Sequence, residues 1–200
     1  MFFAGTKYGG FGSILCPVQG MDDNIEPERE MRVSLAALMF ATCVAFPAFG
    51  FDVGDRRLLI SEGKCKKCDL SGADLSGENL TAAYLPGADL TNANLSSTDF
   101  TGADLIYTNL AGANLSDADL GNANLGGADL TGADLTGADM TFAAMEGTIL
   151  NNADLSGVLL DGADLSFAEL KGATIHPNAL DGAILCKTVM PDGSRDESGC

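Results

Sequence analysis

From Leu70 to Leu185 every fifth residue is large and apolar, 24 units in an unbroken frame, with leucine replaced only by Phe100, Met140, Met145 and Ile175. Two residues before each of these positions stands alanine in 17 of the 24 units, and the residue between is mostly Asp or Asn. A helix turning ~100° per residue would scatter such leucines around its whole circumference. A flat strand fails because five is odd, so successive leucines would fall on opposite faces. The chain therefore has to turn once in every unit. Alanine and leucine, two apart, share the inward face of a short extended side, and the two residues after the leucine form the corner. Thirteen of the 24 second corner positions are Gly and three are Asn, the residues that adopt turn geometry at least cost.

The unit Ala-(Asp/Asn)-Leu-x-x, as in Ala73-Asp74-Leu75 and Ala93-Asn94-Leu95, resembles the pentapeptide-repeat family over residues 68–185. The resemblance implies an all-β fold, a right-handed quadrilateral β-helix with four units per coil and about six coils, roughly 29 Å tall at ~4.8 Å per coil. Short terminal caps are expected over the raw edges of such a solenoid. Residues 51–67, with Leu58, Leu59 and Ile60, suggest a short helix over the first coil, and 186–200 contain the turn sequence Met190-Pro191-Asp192-Gly193.

In a rod of about six coils Cys68 and Cys186 stand roughly 28 Å apart, whereas a disulfide needs Cα atoms within ~7 Å. The pairings left within one chain are Cys65 with Cys68 and Cys186 with Cys200, the second holding the terminal cap down. Cys65-x-x-Cys68 is read as a structural disulfide, with free thiols, half a zinc site or a redox pair as the alternatives. No second Cys/His pair at metal spacing accompanies it.

Ahead of the repeat the composition changes twice. Residues 1–30 are acidic toward their end and show no apolar period, which suggests a disordered extension or a misassigned start. Residues 31–50 read as a bacterial secretory signal: Met31, Arg32, an uncharged run from Val33, then Ala48 and Gly50 as the small residues of a cleavage site. The run is close to the ~20 residues that span a bilayer, so an uncleaved inner-membrane anchor is the alternative. Cys43 matches a lipid-attachment site poorly. The chain is expected to be periplasmic or secreted, or cytoplasmic if the signal is unused.

Twenty-eight Asp+Glu against 11 Lys+Arg, a net charge of -17, argue against nucleic-acid binding and against contact with an anionic membrane once the signal is gone. No catalytic group and no cofactor is expected. His176, the one histidine, stands at an outward corner as a solvated residue. Glu78 occupies an alanine position and is expected to reach the N-terminal cap. Stacking by twenties aligns Asp99, Asp119 and Asp139 into a column, a weak candidate for a divalent cation, in which mutual repulsion would raise the carboxylate pKa values. That column is expected to continue through Leu159 and Ala179 which, with Phe142 and Pro177, form an outward apolar patch suited to self-association as a homodimer or to docking of a protein partner.

The leading expectation is an exported, non-enzymatic structural or protein-interaction module, a stiff acidic rod. The alternative is a cytoplasmic DNA mimic that binds a type II topoisomerase such as DNA gyrase, as the quinolone-resistance members of the resembled family imply. Residues 68–185 carry 17 Asp+Glu and one cation, Lys171. That is a charge per ~1.8 Å of rod against ~1.7 Å for duplex DNA. The signal-like segment, and charges wrapping four faces, weigh against mimicry.

Overall fold

The computed structural model describes residues 52–200, so the expectations for 1–30, 31–50 and Cys43 lie outside the described residues. Each unit closes a turn in which the alanine N–H donates to the preceding leucine carbonyl, as from Ala73 to Leu70 at 3.0 Å. The second corner residue takes a positive φ, 69° at Gly72, the signature of a type II turn. Tyr107 and Phe142 hold the same conformation at 55° and 57° although it disfavours any side chain. Ladder bonds on either side hold them there: Phe142 N–H donates to the Asp161 carbonyl at 2.9 Å.

Successive coils pair in parallel, each residue with the one twenty further on, from Lys64 with Tyr84 to Glu169 with Val189. The Leu70 N–H donates to the Asp89 carbonyl at 2.8 Å and the Asp89 N–H to the Cys68 carbonyl at 2.8 Å. Four sides per coil result, each named here by one of its outward residues: the Tyr84, Asp69, Asp74 and Asp99 sides. The inward leucines and alanines form one continuous buried core. Where threonine replaces alanine its hydroxyl is satisfied inside, as Thr98 Oγ1 donates to the Leu75 carbonyl at 2.8 Å and Thr148 Oγ1 to Leu125 at 3.0 Å.

Helix α1, Val53–Glu62, closes the first coil. Its N-cap Asp52 accepts from the Gly54 N–H at 2.7 Å, and Gly63 ends it at φ 63°. Leu59 is fully buried and fills the open end of the core. At the other end β1, Thr188–Val189, pairs antiparallel with β2, Arg195–Asp196, through the turn at Met190–Gly193.

One stretch departs from the repeat although its leucine frame is intact. Pro177–Leu180 forms a 3-10 turn, and the bridge between Asp139 and Leu159 is the last in its column. Pro177 has no N–H to give the ladder and holds His176 extended, so the coil bulges here. The expected continuation of the column to Ala179 is corrected accordingly: Ala179 is half-buried and packs against the core.

Candidate interaction surface

The Asp/Asn before each leucine performs one repeated task. Its side-chain oxygen accepts from the backbone N–H two residues on, at 3.1 Å for Asp69 with Ser71 and 2.9 Å for Asp99 with Thr101, Asp119 with Gly121 and Asp139 with Thr141. Corner hydroxyls add to it, Ser71 Oγ donating to Asp69 at 2.7 Å and Thr91 Oγ1 to Asp89. In the candidate cation column Asp99 also accepts from Thr81 Oγ1 of the preceding coil at 3.0 Å. The expected rise in pKa is thereby corrected for Asp99. The Thr101 N–H and then its hydroxyl hold that carboxyl below the ordinary 3.8, since hydrogen bonds to the charged form outweigh desolvation. Asp69, Asp74 and Asp154 are lowered in the same way, by the hydroxyls and then the N–H groups of Ser71, Ser76 and Ser156.

An outward position without Asp or Asn gives up this bond and exposes something else. Tyr84, Leu159 and Ile184 occupy such positions, and Tyr107, Phe142 and Phe167 stand at second corner positions. Tyr107 is 71%, Phe142 67% and Leu159 51% exposed. Each corner ring of the pair Tyr107 and Phe142 lies against a glycine one coil on. A Cβ at Gly127 would come within 2.5 Å of the Tyr107 ring, and one at Gly162 within 2.5 Å of the Phe142 ring. Phe167 instead meets Lys187, whose Nζ is 5.4 Å from the ring centroid.

These groups are segregated. Tyr84 and Ile184 lie on the Tyr84 side, Tyr107 and Phe167 on its following corner, Phe142 on its preceding corner and Leu159 just beyond that, on the Asp99 side. The Tyr84 side and its following corner also carry Lys64, Lys66, Lys67 and Lys187 against Asp104, Glu146 and Asp164, a nearly balanced set. The Asp69 and Asp74 sides instead carry rows of carboxylates, among them Asp89, Asp129, Glu169, Asp134 and Asp154. Of the expected patch, Phe142 and Leu159 are neighbours across one coil, Pro177 is exposed in the bulge and Ala179 is turned in. Sequence reasoning missed Tyr84, Tyr107, Phe167 and Ile184; sorting the large outward residues by position within twenty would have gathered them.

Glu78 meets the cap, its Oε1 3.5 Å from Arg56 Nη2 on α1. His176 is exposed and caps the 3-10 turn, Nδ1 accepting from the Asn178 N–H at 3.3 Å. Both short-range cysteine pairs are joined, Cys65 to Cys68 with Cα atoms 5.4 Å apart and Cys186 to Cys200 at 4.6 Å. The Asp55 carboxylate lies within 4.8 Å of the first pair of sulfurs, a third group the spacing did not show. A cavity of about 540 Å³ ends the core at the C-terminal coil, floored by Ile175, Leu180, Leu185 and Met190.

Comparison with known proteins agrees with this architecture. The pentapeptide repeats family model matches in eight copies, over residues 64–102, 87–122, 113–152 and 138–176. The chain belongs to the pentapeptide-repeat family, and its fold is the right-handed quadrilateral β-helix of that family. Among solved structures, a pentapeptide repeat protein (Rfr23) from the cyanobacterium Cyanothece 51142 is 32% identical, over 62% of this chain and 95% of that one, with a TM-score of 0.48. A trypsin-treated variant of QnrB1, a plasmid-mediated fluoroquinolone resistance protein, is 22% identical over 68% of this chain and 77% of its own, with a TM-score of 0.55, a likeness of fold. HetL, a pentapeptide repeat protein involved in heterocyst differentiation regulation from the cyanobacterium Nostoc sp. strain PCC 7120, is 32% identical over 66% of this chain and 81% of its own, with a TM-score of 0.23. No curated protein matches the chain.

Proposed function

We propose that the protein is an exported, non-enzymatic interaction module, a rod of about six coils that presents the Tyr84 side and its flanking corners to a protein partner. The observation that carries this reading is the segregation of exposed large apolar groups. Tyr84, Tyr107, Phe142, Phe167 and Ile184 gather around the side where cations and carboxylates nearly balance, while the Asp69 and Asp74 sides are rows of carboxylates. Folding does not call for this arrangement, because an Asp or Asn in place of Tyr84, Leu159 or Ile184 would add a corner hydrogen bond. Apolar groups collected on one side of an otherwise charged rod fit a contact surface. The Cys65–Cys68 and Cys186–Cys200 disulfides suit an oxidising compartment and support export.

The test combines Tyr107→Ser, Phe142→Ser and Leu159→Asp in one variant, with partner capture from the native cells, mass in solution by light scattering, and cell fractionation. Loss of a captured protein or of a dimer, with an unchanged melting curve, is the expected result. Unchanged partners and mass would sink the contact surface. Retention of the chain in the cytoplasm with its disulfides reduced would overturn export and favour the DNA-mimic alternative, in which the carboxylate rows would be the binding surface.

A further inference from the structure

Counted from the first coil to the sixth, the outward residues of the Tyr84 side are Lys64, Tyr84, Asp104, Asn124, Ala144 and Asp164. They complement one another about the midpoint between Asp104 and Asn124. A cation at one end answers a carboxylate at the other, and one coil inside each stand Tyr84 and Ala144, both of which give up the Asp/Asn corner bond. At the midpoint Asp104 Oδ1 accepts from the Ile106 N–H at 3.2 Å, and Asn124 Oδ1 from the Gly126 N–H at 3.1 Å. The first residue is left with a carboxylate oxygen to offer outward and the second with its amide NH2, an acceptor and a donor.

The flanking corners share this midpoint. On the preceding corner Ala82 and Phe142 lie at matched levels, the second coil and the fifth, and both hold a positive φ, 54° and 57°. On the following corner Tyr107 and Gly127 are matched, and the Tyr107 ring lies across Gly127, hence over the midpoint. Charge is matched with opposite sign. The level of the first coil carries Lys64, Lys66 and Lys67 with Glu62, a surplus of two cations, and the level of the sixth carries Asp161 and Asp164. Glu146 is answered by the neutral Pro86, and Asp69 and Asp89 lie round the corner on the next side.

When two identical rods face each other antiparallel about a two-fold axis, every residue of a column meets the residue at its matched level, and each pair occurs twice. We propose, resting on the contact surface assigned above, that the partner of the Tyr84 side is a second copy of this chain, packed antiparallel with the axis between Asp104 and Asn124. In that register Lys64 of each copy meets Asp164 of the other, and the Asn124 amide donates to Asp104. Tyr84 packs on Ala144 and Phe142 on Ala82, while the two Tyr107 rings meet at the axis. Ile184, Lys187 and Asp181 lie one coil further on and overhang the first coil of the other copy. Other registers fail on charge. Slipping one rod by a coil sets Lys67 against Lys187 in one direction and Asp104 against itself in the other. Parallel rods would set Lys64, Asp104 and Asp164 each against its own counterpart. The net charge of -17 does not oppose the pairing, because a Debye length of about 8 Å at physiological salt leaves mainly the facing groups to interact. The Asp74 rows point away on the opposite side of the rod, and the Asp69 and Asp99 rows face sideways.

The experiment follows the full chain, as isolated from cells, by sedimentation equilibrium at physiological ionic strength. A reversible dimer is expected. Lys64→Glu or Asp164→Lys alone should weaken it on the order of tenfold, because one reversal turns both symmetric pairs repulsive, and the two together should restore it. A second measurement does not depend on the charges. Within one chain Tyr84 and Ala144 are three coils apart, about 14 Å, beyond the ~7 Å that a disulfide spans. Tyr84→Cys with Ala144→Cys should therefore give a covalent dimer on oxidation, and neither change alone should. A monomer at every concentration, charge reversals without effect, or cross-linking through Tyr84→Cys alone, which would mean parallel rods, would each overturn the proposal. If the rod is monomeric while the Tyr107→Ser, Phe142→Ser and Leu159→Asp variant still loses a captured protein, the second copy is refuted and the contact surface stands. A monomer with unchanged partners refutes both.

Discussion

Asp99 shows why carboxylates can stand in columns without unfolding the rod. Its pKa is lowered, so its contribution to stability is fully present above the unfolded value of 3.8 and is lost as pH falls through the lower folded value. Asp69, Asp74 and Asp154 follow the same sign. The melting temperature should therefore hold down to about pH 4 and drop below it, the opposite of what stacking repulsion alone implies; a melting temperature that climbs between pH 5 and pH 3 would show repulsion dominating. The Asp/Asn position was legible in the sequence as a recurring residue, but its purpose was not, since the N–H it accepts from becomes visible only once the corner is built. Gly162 is a sharper case. Composition marks it as an ordinary corner glycine, yet it also carries the Phe142 ring, a partnership that exists only between stacked coils. Gly162→Ala should cost about 1–3 kcal/mol in chemical denaturation, from the positive φ and the ring together. Phe142→Ala should recover the ring's share in the double variant, and strictly additive effects would show that the ring simply swings away.

At the scale of elements the caps decide where the repeat stops. Leu59 fills the open end of the core, so Leu59→Ala should cost about 2–5 kcal/mol and expose the first coil to exchange, while the coils beyond Leu90 keep their protection. Uniform loss of protection along the rod would mean that the coils unfold as one unit. At the far end Cys186–Cys200 joins residues 14 apart in sequence, and Cys200→Ser should cost about 3 kcal/mol while leaving the circular dichroism of the rod intact. The leucine frame made both caps foreseeable, as the segments left over on either side of the repeat. It also concealed the bulge at Pro177–Leu180, because Leu180 stays inward and keeps the count regular while the proline withholds its N–H from the ladder.

Over the whole molecule, counting charge and placing it lead to different conclusions. Residues 68–185 hold 17 carboxylates against one cation, a figure that by itself suggests a polyanion repelled by membranes and drawn to basic partners. Placed in space, the rows fall mainly on three sides, and the Tyr84 side is nearly balanced. Self-repulsion among the rows remains, because the corner hydrogen bonds stabilise each carboxylate without neutralising it. It should be visible as a salt effect at neutral pH: going from ~0.01 M to ~0.15 M ionic strength shortens the Debye length from about 30 Å to about 8 Å. That spans the change from coupling along the whole rod to coupling between adjacent coils, so the melting temperature should rise by a few degrees. Sodium and calcium salts matched in ionic strength should give the same rise if screening is the cause, since each column carboxylate already directs an oxygen to its own corner. A larger rise with calcium, abolished by Asp119→Asn, would show instead that the Asp99, Asp119 and Asp139 column gathers divalent ions, and the corner bonds would then have to be shared with the metal.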